Sequence, residues 1–367
     1  MNVTCSQNDL ALALSMVNRA VSPNNTLPVL NNILLKGEGE HLFLSATNLE
    51  IAISAQIPAK VQNEGTLTVP AKVLNGYIPL LREESIQLNS HDLTLEVKST
   101  GSTSKMKGIS SDEFPHLPKA QDSVQFTLPA KPIRDALEQV VFAASTNISR
   151  FSLTGVLWKI GKKELKLAAT DSYRLAEKTI SLDKDPGIET TLLIPSRTTQ
   201  ELAKILASTE AEEVHVSASK NQVLFKMNGI ELMSKLINES FPDYESILPK
   251  EGKTKVKVNV GDFLLAIKKV MVIVKESNNG ILLSLQKGKV VVSTDETQVG
   301  EGSAELPADM VGDKTDVSLN AQYLLDVLSH LHDDEVYLGL NDGLSPVMLT
   351  PASQASGYLH VIMPLKI

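Results

Sequence analysis

A threefold internal repeat constrains the fold of this chain more than any other feature of its sequence. A strand-like segment that ends in a small residue, Thr and then Asn or Asp occurs as Leu44–Asn48, Leu167–Asp171 and Val292–Asp295. Its threonines recur at intervals of 123 and 124 residues. Because the chain has 367 residues, three units of one length fill it. A repeat of this kind indicates three copies of one structural unit.

Two further motifs recur in the same order and at nearly the same spacing. An apolar strand runs into a predicted helix start at Pro70, Pro195 and Asn320, each 125 residues after the last. Proline suits the first turn of a helix and asparagine suits its N-terminal cap. Three motifs in one order indicate a true repeat rather than chance. The third motif, a bulky apolar residue followed by proline, occurs at Phe114-Pro115, Phe241-Pro242 and Met363-Pro364.

Each unit has the same predicted order of elements. A helix with apolar residues at helical spacing, such as Leu10 and Leu14, comes first. A β-hairpin, a second helix and a second hairpin follow. Two helices and several short antiparallel strands per unit predict an α+β fold. We expect three domains, at residues 1–121, 122–250 and 251–367, with boundaries in polar stretches.

Charge is divided unevenly between the predicted helices and the rest of the chain. The formal net charge is −8, from 35 Lys and Arg against 43 Asp and Glu. The six predicted helices together carry +4, so the remainder carries −12. A net acidic protein does not coat nucleic acid by bulk attraction, but helices that share one surface would attract a polyanion there. Ordinary solvated helix faces explain the same distribution.

The sequence contains no motif that indicates an enzyme, a metal site or a cofactor. Gly252-Lys253-Thr254 resembles the end of a phosphate-binding loop, but Ile247 stands where that loop requires glycine. The single cysteine, Cys5, excludes an intramolecular disulfide and fits a reducing compartment. The N-terminal residues show neither the basic nor the apolar region of a signal peptide, and no apolar run approaches the ~20 residues of a membrane span. We therefore expect a cytoplasmic protein without a cofactor.

Two segments stand apart from the repeat. Thr170–Leu175 lies where the other units have different residues, and Phe241–Pro249 is an apolar and aromatic linker. Packing at a domain junction is one explanation for both. An apolar groove with a polar rim that binds a partner peptide is the other.

At these segments the chain resembles the bacterial sliding clamps, the beta subunits of DNA polymerase III, over its whole length. The resemblance implies the DNA clamp fold in a head-to-tail homodimer, whose six domains form a ring with helices inside and sheets outside. It further implies a non-catalytic processivity factor, which stays on duplex DNA because it surrounds it. The segments that carry the resemblance are Thr26–Leu30, Ala169–Ala176, Phe241–Pro249, Tyr323–Leu328 and Val361–Ile367.

The resemblance also implies partners. The ring would tether the replicative DNA polymerase alpha subunit and the clamp loader, and also translesion polymerases, mismatch repair proteins and ligase. Family partners insert a short motif with Gln and two apolar side chains into a groove between the central and C-terminal domains. The residues that match this groove are Leu153, Thr170, Ser172, Tyr173, Arg174, Leu175, Pro242, Ile247, Asn320, Tyr323, Leu344, Pro346, Ile362, Met363, Pro364 and Leu365.

The family further implies DNA-facing residues and dimer contacts. Weak phosphate contacts suit sliding because they are independent of sequence. Asn24-Asn25 replaces an arginine of the family, Ser172-Tyr173 replaces Gly-His, and Asn278 replaces an aromatic residue. We therefore expect a changed DNA contact and a changed peptide preference. The DNA-facing candidates are Lys72, Arg134, Arg150, Arg197, Lys204 and Lys268, and the dimer candidates are Met106, Val272 and Ile273.

Two other functions remain as alternatives to the clamp. An acidic scaffold of the same fold that does not act on DNA would lack a common basic surface formed by Lys72, Arg197 and Lys268. An enzyme with an unrecognised site would have a deep pocket with converging acid or base groups, and it would turn over a substrate.

Overall fold

The structure is a computed structural model, and it describes residues 1–22, 27–82, 84–117, 123–249, 252–274, 279–294, 300–353 and 356–365. Both expected domain boundaries lie outside the described residues, as do Asn24, Asn25, Asn278 and the side chain of Ile247.

The described residues form helices and short strands in the alternating order that the repeat predicts. The helices are α1 (Gln7–Val17), α2 (Ala71–Tyr77), α3 (Ala130–Val140), α4 (Ser196–Ser208), α5 (Val260–Val274) and α6 (Ala321–His330). The first strands are β1 (Asn2–Ser6), β2 (Asn32–Glu38), β3 (His41–Thr47), β4 (Ile51–Asn63), β5 (Gly65–Pro70), β6 (Ser85–His91), β7 (Thr94–Ser99), β8 (Ser102–Lys107), β9 (Val124–Pro129), β10 (Gly155–Ile160), β11 (Glu164–Thr170) and β12 (Arg174–Ser181). The others are β13 (Thr190–Pro195), β14 (Glu213–Ala218), β15 (Gln222–Met227), β16 (Ile230–Lys235), β17 (Thr254–Asn259), β18 (Gly280–Gln286), β19 (Gly288–Ser293), β20 (Ser303–Val311), β21 (Thr315–Asn320), β22 (Glu335–Leu340), β23 (Val347–Pro351) and β24 (Tyr358–Ile362).

The chain forms two compact units, each built on one 12-stranded antiparallel sheet. The first unit comprises Met1–Lys131 and Glu201–Leu236, and the second comprises Pro132–Gln200 and Ile237–Ile367. The first sheet runs β8-β7-β6-β1-β4-β16-β15-β14-β9, with β2, β3 and β5 off this path. The second runs β13-β10-β11-β12-β24-β23-β22-β17-β20-β19-β18-β21. The predicted α+β fold is confirmed, whereas the threefold domain division stays a prediction.

The second repeated motif starts a helix in all three copies. Helix α2 begins directly after Pro70, and α4 begins directly after Pro195. Helix α6 follows Asn320, whose Oδ1 accepts the Gln322 N–H at 2.9 Å. This bond satisfies one of the N–H groups that a helix leaves unpaired at its first turn.

The first repeated motif forms a compact turn between β3 and β4. Thr47 Oγ1 donates to the Ile51 carbonyl at 2.8 Å and accepts the Leu49 N–H at 3.0 Å. Asn48 Oδ1 accepts the N–H groups of Glu50 and Ile51 at 3.0 and 2.9 Å. These bonds hold Leu49 at φ 74°, in the left-handed region that residues with a side chain rarely adopt.

The core is mainly aliphatic, as 4% aromatic content requires. Trp158, Phe225 and Phe263 are its largest fully buried side chains. Cys5 is buried in β1, and burial raises the pKa of its thiol to about 12. Among the described residues, no helix combines the length and the apolar character that crossing a membrane requires.

Candidate partner-binding groove

A cavity of about 590 Å³ opens on the second unit. The end of β11, the start of β12, the end of β24 and residues 240–248 line it. Its walls are mostly apolar, and a few polar groups stand among them, as in sites that bind peptides or small molecules. Of the predicted groove residues, eight line the cavity: Leu153, Thr170, Ser172, Arg174, Leu175, Pro242, Pro346 and Met363.

The turn between β11 and β12 forms one edge of this cavity and repeats the geometry of the β3–β4 turn. Thr170 Oγ1 donates to the Arg174 carbonyl at 2.6 Å and accepts the Ser172 N–H at 3.1 Å. Asp171 Oδ1 accepts the N–H groups of Tyr173 and Arg174 at 2.9 and 3.0 Å. Ser172 has a φ of 81°, as the same turn requires. The short Thr-Asp pair thus fixes the backbone from its own side chains.

Arg174 is anchored on three sides and forms one wall of the cavity. Its Nε donates to Asp171 Oδ2 at 3.1 Å, its Nη1 to Asp326 Oδ2 at 2.5 Å and its Nη2 to the Phe142 carbonyl at 2.8 Å. The guanidinium carbon lies 4.4 Å from the centroid of the Tyr323 ring. Since two carboxylates neutralise its charge, Arg174 joins β12 to α6 and offers no free cation to a ligand.

Tyr244 forms part of the cavity floor. It is 2% exposed and packs with Leu157, Leu175 and Val361 in one apolar cluster. Its hydroxyl donates to Glu177 Oε2 at 2.5 Å. Burial in the first place, and this hydrogen bond in the second, raise the pKa of Tyr244. The phenol therefore stays protonated and fixes residues 241–248 against the sheet.

The C-terminal segment is held beside the cavity by two backbone hydrogen bonds. The Met363 N–H donates to the Tyr173 carbonyl and the Leu365 N–H donates to the Ser318 carbonyl, each at 2.8 Å. Met363 is 44% exposed and lines the cavity, while Pro364 and Leu365 are half-buried behind it. The chain end thus presents one flexible thioether side chain to a ligand.

Ile362 corrects the sequence expectation. Its side chain is 0% exposed, so it packs in the core and does not reach the cavity. Its neighbour Val361 lines the cavity instead, because successive residues of a strand point to opposite faces. Asn320, the cap of α6, and Tyr323, beneath the anchored guanidinium, lie outside the lining. Leu344 also lies outside it, on an exposed turn before β23, and is 78% exposed.

Besides Arg150, six lining residues were not predicted as groove residues from the sequence. Tyr244 and Leu248 fall inside the linker Phe241–Pro249, so its aromatic character was a usable signal. For the others the sequence offers no comparable pattern. The six are Ser152, Ser240, Asp243, Tyr244, Leu248 and Val361.

Arg150 is predicted to face DNA, but the structure places it at the mouth of the cavity. Its Nη1 donates to Ser172 Oγ at 2.8 Å across the opening. It lines the cavity together with Ser152 and Leu153, which follow it in the chain. Arg150 therefore belongs with the groove.

The other five DNA-facing candidates lie on helices. Arg134 of α3 is paired with Asp135 at 2.6 Å, a hydrogen bond that raises the pKa of Arg134. Lys204 of α4 is paired with Glu201 at 2.9 Å. The remaining three, exposed and outside the described ion pairs, are Lys72 on α2, Arg197 on α4 and Lys268 on α5.

The three dimer candidates differ in exposure. Met106 is 6% exposed, so its side chain packs inside its own chain and offers no exposed surface for a dimer contact, contrary to expectation. Val272 on α5 is 75% exposed. Ile273 packs closely over Gly302, where an added Cβ would lie 2.7 Å from the Ile273 Cδ1 atom.

Repeated helix–hairpin units on broad antiparallel sheets, with a peptide-sized apolar groove, define the class of the DNA sliding clamps. Three family models match the chain: the N-terminal domain of the DNA polymerase III beta subunit at residues 1–118, the central domain at 127–243 and the C-terminal domain at 245–366. The chain belongs to the DNA polymerase III beta subunit family. This family is the non-catalytic processivity subunit of the polymerase, so the expectation of a protein that is not an enzyme is confirmed.

Individual relatives agree over their whole lengths. The chain is 31% identical to a beta sliding clamp of Synechococcus elongatus over 374 residues, covering 100% of both chains. It is 27% identical to a beta sliding clamp of Bacillus subtilis over 379 residues, again covering 100% of both. A crystal structure of the DNA polymerase III beta subunit from Pseudomonas aeruginosa superposes with a TM-score of 0.93 at 26% identity, covering 100% of both chains. A P. aeruginosa sliding clamp bound to griselimycin superposes with a TM-score of 0.94.

Proposed function

We propose that this chain is a DNA polymerase processivity factor: a homodimeric ring of three domains per chain that encircles duplex DNA and tethers its partners through the groove. The domains are those expected from the repeat, at 1–121, 122–250 and 251–367. The observation that carries the proposal is the pattern of strand pairing, which leaves two complementary sheet edges.

Two pairings establish the pattern. In the first unit, Ile53 of β4 pairs with Leu232 of β16. In the second unit, Ala176 of β12 pairs with His360 of β24. Ile53 and Ala176 hold the same place in the repeat, because each lies opposite the residue before the motif threonine. Each of the first two repeats thus pairs its fourth strand with the last strand of the next repeat.

The fourth strand of the third repeat, β20, and the last strand of the first repeat, β8, have no such described partner. Ser303 of β20 lies opposite the residue before Thr294, yet β20 there pairs only with β19 among the described strands. Strand β8 follows a two-residue turn, as β16 does, and its described partner is β7 alone. Head-to-tail pairing of two copies joins β8 of each to β20 of the other, with Ser104 opposite Ser303, and so covers both of these edges.

Basic helices support the encircling of DNA. Lys72, Arg197 and Lys268 are exposed and carry no described ion pair, whereas the body of the chain is acidic. Such residues attract phosphates without reading sequence, which permits sliding. Arg134 and Lys204, already paired with carboxylates, would contribute less.

The groove accounts for the tethering of partners. An apolar floor and a Met363 rim suit a short peptide with two apolar side chains. The replicative polymerase, the clamp loader and the repair partners would share this one site and compete for it. We place the protein in the cytoplasm, where bacterial chromosomes are copied.

The decisive experiment tests topology. The labelled protein is loaded onto nicked circular DNA by a clamp loader, and the salt concentration is then raised. Retention on the circle, followed by loss once the circle is cut, is expected of a closed ring that slides off ends. Equal loss from circular and linear DNA would mean ordinary electrostatic binding, and would favour the scaffold alternative.

A further inference from the structure

We propose that Arg150 selects partner peptides that carry a carboxylate beside their apolar anchors, with Ser172 as the positioning residue that holds the Arg150 guanidinium at the groove mouth. This inference rests on the proposed function of the groove as a peptide site. It concerns which peptides the groove prefers.

The hydroxyl of Ser172 is not needed by the turn that contains it. The β3–β4 turn has the same Thr and Asx hydrogen bonds and the same left-handed φ, but there the equivalent residue is Leu49. Leu49 has no side-chain hydroxyl and is 48% exposed. The backbone geometry is therefore set by the Thr-Asx pair alone. The Ser172 hydroxyl is free for another contact, and it accepts from Arg150 Nη1 at 2.8 Å.

The backbone of Arg150 is held in a fixed position. Asn147 Oδ1 accepts the N–H of Ser149 at 3.0 Å and its hydroxyl at 2.7 Å, and the Ser145 N–H donates to the Leu153 carbonyl at 2.9 Å. Within this short loop Arg150 itself leaves the helical conformation, at φ −121° and ψ 73°. A braced backbone and a hydrogen-bonded guanidinium together keep the charge at one place on the rim.

Arg150 supplies the available positive charge of the groove. Among the described residues, no carboxylate oxygen lies within 4.0 Å of its guanidinium. The other lining cation, Arg174, is already neutralised by Asp171 and Asp326. Asp243 is the acidic residue of the lining, and it stands outside ion-pair distance of Arg150.

The loop that contains Arg150 also exposes two large apolar side chains outside the cavity lining. They are Ile148 and Phe151, which are 82% and 48% exposed. Large exposed apolar side chains are available for contact with a bound partner. The surface thus fits a peptide whose apolar side chains fill the floor and whose Asp or Glu reaches Arg150. A carboxylate that accepts from Arg150 gains a charge-assisted hydrogen bond, which neutral Asn does not.

The test compares matched peptides on the full-length protein. Each peptide carries Gln and two apolar side chains, and Asp or Asn is placed in turn at every other position. Fluorescence anisotropy gives the Kd of each pair. At the position beside Arg150 we expect Asp to bind about three- to tenfold tighter than Asn in low salt, with the ratio falling at high salt.

Variants of Arg150 and Ser172 show which side chain causes the preference for Asp over Asn. Arg150→Gln is expected to bring the Asp-to-Asn ratio to about one, because the Asp peptide loses more affinity than the Asn peptide. Ser172→Ala and Ser172→Gly are expected to lower the ratio at least by half, again through a larger loss of affinity for the Asp peptide than for the Asn peptide. Asp243→Asn is the matched control on the same lining, and there the preference for Asp is retained or increased.

Each outcome decides between the proposals. Equal binding of Asp and Asn peptides at every position would overturn the role of Arg150 and leave the groove intact. Full retention of the ratio in both Ser172 variants would overturn the positioning role of Ser172. Failure of all peptides to bind the folded wild-type protein would overturn the groove itself, and this inference with it. Fluorescence of Trp158, buried in the same unit, reports that each variant is folded.

Discussion

At the residue scale, His360 shows how the fold controls the charge state of a single group. It lies fully buried in β24. Its Nδ1 lies 3.4 Å from the Tyr358 hydroxyl, and its ring centroid lies 5.6 Å from that of Phe142. Burial in the first place, and the nearby charge of Arg174 in the second, lower the pKa of His360 from 6.5 to about 3. The folded protein therefore keeps this imidazole neutral at physiological pH.

This pKa shift predicts a loss of stability in mild acid. The unfolded chain binds a proton near pH 6.5, whereas the folded chain does not until about pH 3. The contribution of His360 is therefore complete above pH 6.5 and is lost as the pH falls, by about 2 kcal/mol between pH 6.5 and 5. Urea unfolding followed by Trp158 fluorescence at pH 7, 6 and 5 measures it. The His360→Gln variant should lose less over this interval, and an equal loss in both proteins would contradict the assignment.

At the same scale, individual site residues were only partly predictable from the sequence. Val361, Ile362 and Met363 are all apolar, so no alternation of polarity indicates which of them faces the groove. Shifting a strand by one residue exchanges its two faces, and only the pairing of β24 with β12 fixes the choice. The position of Arg150 at the groove was not predicted, for a similar reason. Its contact with Ser172 joins residues 22 positions apart through a turn whose shape depends on the turn's own side-chain bonds.

At the scale of elements, prediction succeeded where the signal is local. Helix starts at Pro70, Pro195 and Asn320 follow from backbone geometry and capping, which act within a few residues. The order of strands was not predictable, since ladders such as Ile53 with Leu232 join residues far apart in sequence. Many register choices bury a similar apolar area, and a single sequence does not rank them.

The structure of the C-terminal segment predicts that its loss affects peptide binding but not dimer formation. Deletion of residues 363–367 removes Met363 from the groove and the hydrogen bond that the Leu365 N–H donates to Ser318. Loss of the contact that the Met363 side chain makes with the peptide is expected to weaken peptide binding about tenfold or more, with the dimer unaffected. Anisotropy and analytical ultracentrifugation measure the two properties. Met363→Ala should reproduce most of the loss, and dissociation of the dimer in either variant would contradict the assignment.

The proposed pairing of β8 with β20 predicts a specific covalent cross-link between two copies. In the expected register, Ser104 of one copy lies opposite Ser303 of the other, at a Cα separation of about 5 Å that suits a disulfide. The double variant Ser104→Cys, Ser303→Cys should therefore run as a covalent dimer on a denaturing gel after mild oxidation. The buried Cys5, with its raised thiol pKa, would not compete.

A shifted pair controls for this register. The variant Ser102→Cys, Ser303→Cys moves one cysteine by two residues on the same face, to a Cα separation of about 7 Å or more. It should cross-link poorly. Equal cross-linking of both pairs, or none in a protein that sediments as a dimer, would refute the proposed pairing.

At the scale of the whole molecule, the division of charge predicts how DNA binding responds to salt. Replacing Lys72 and Lys268 by Ala should reduce the slope of log K against log salt by about two, because each phosphate contact contributes about 0.9. Binding of a short duplex, measured by anisotropy between low and moderate salt, gives the slope. Lys226→Ala, Lys289→Ala is the matched control, since these lysines lie on strands in ion pairs with Glu231 and Glu305. A slope that changes equally in both variants would contradict a specific basic surface.

The turn built by Thr and Asn or Asp has a consequence for how such a chain evolves. In two copies its shape is specified by the same two side chains, while the left-handed position holds Leu49 in one and Ser172 in the other. A position whose backbone is determined by its neighbours tolerates substitution at little structural cost. After duplication of an ancestral unit, one copy could therefore acquire a new ligand contact while the other copies kept only their structural role in the turn. Related proteins could likewise change their partner preference by substituting this one residue, while the rest of the ring stays the same.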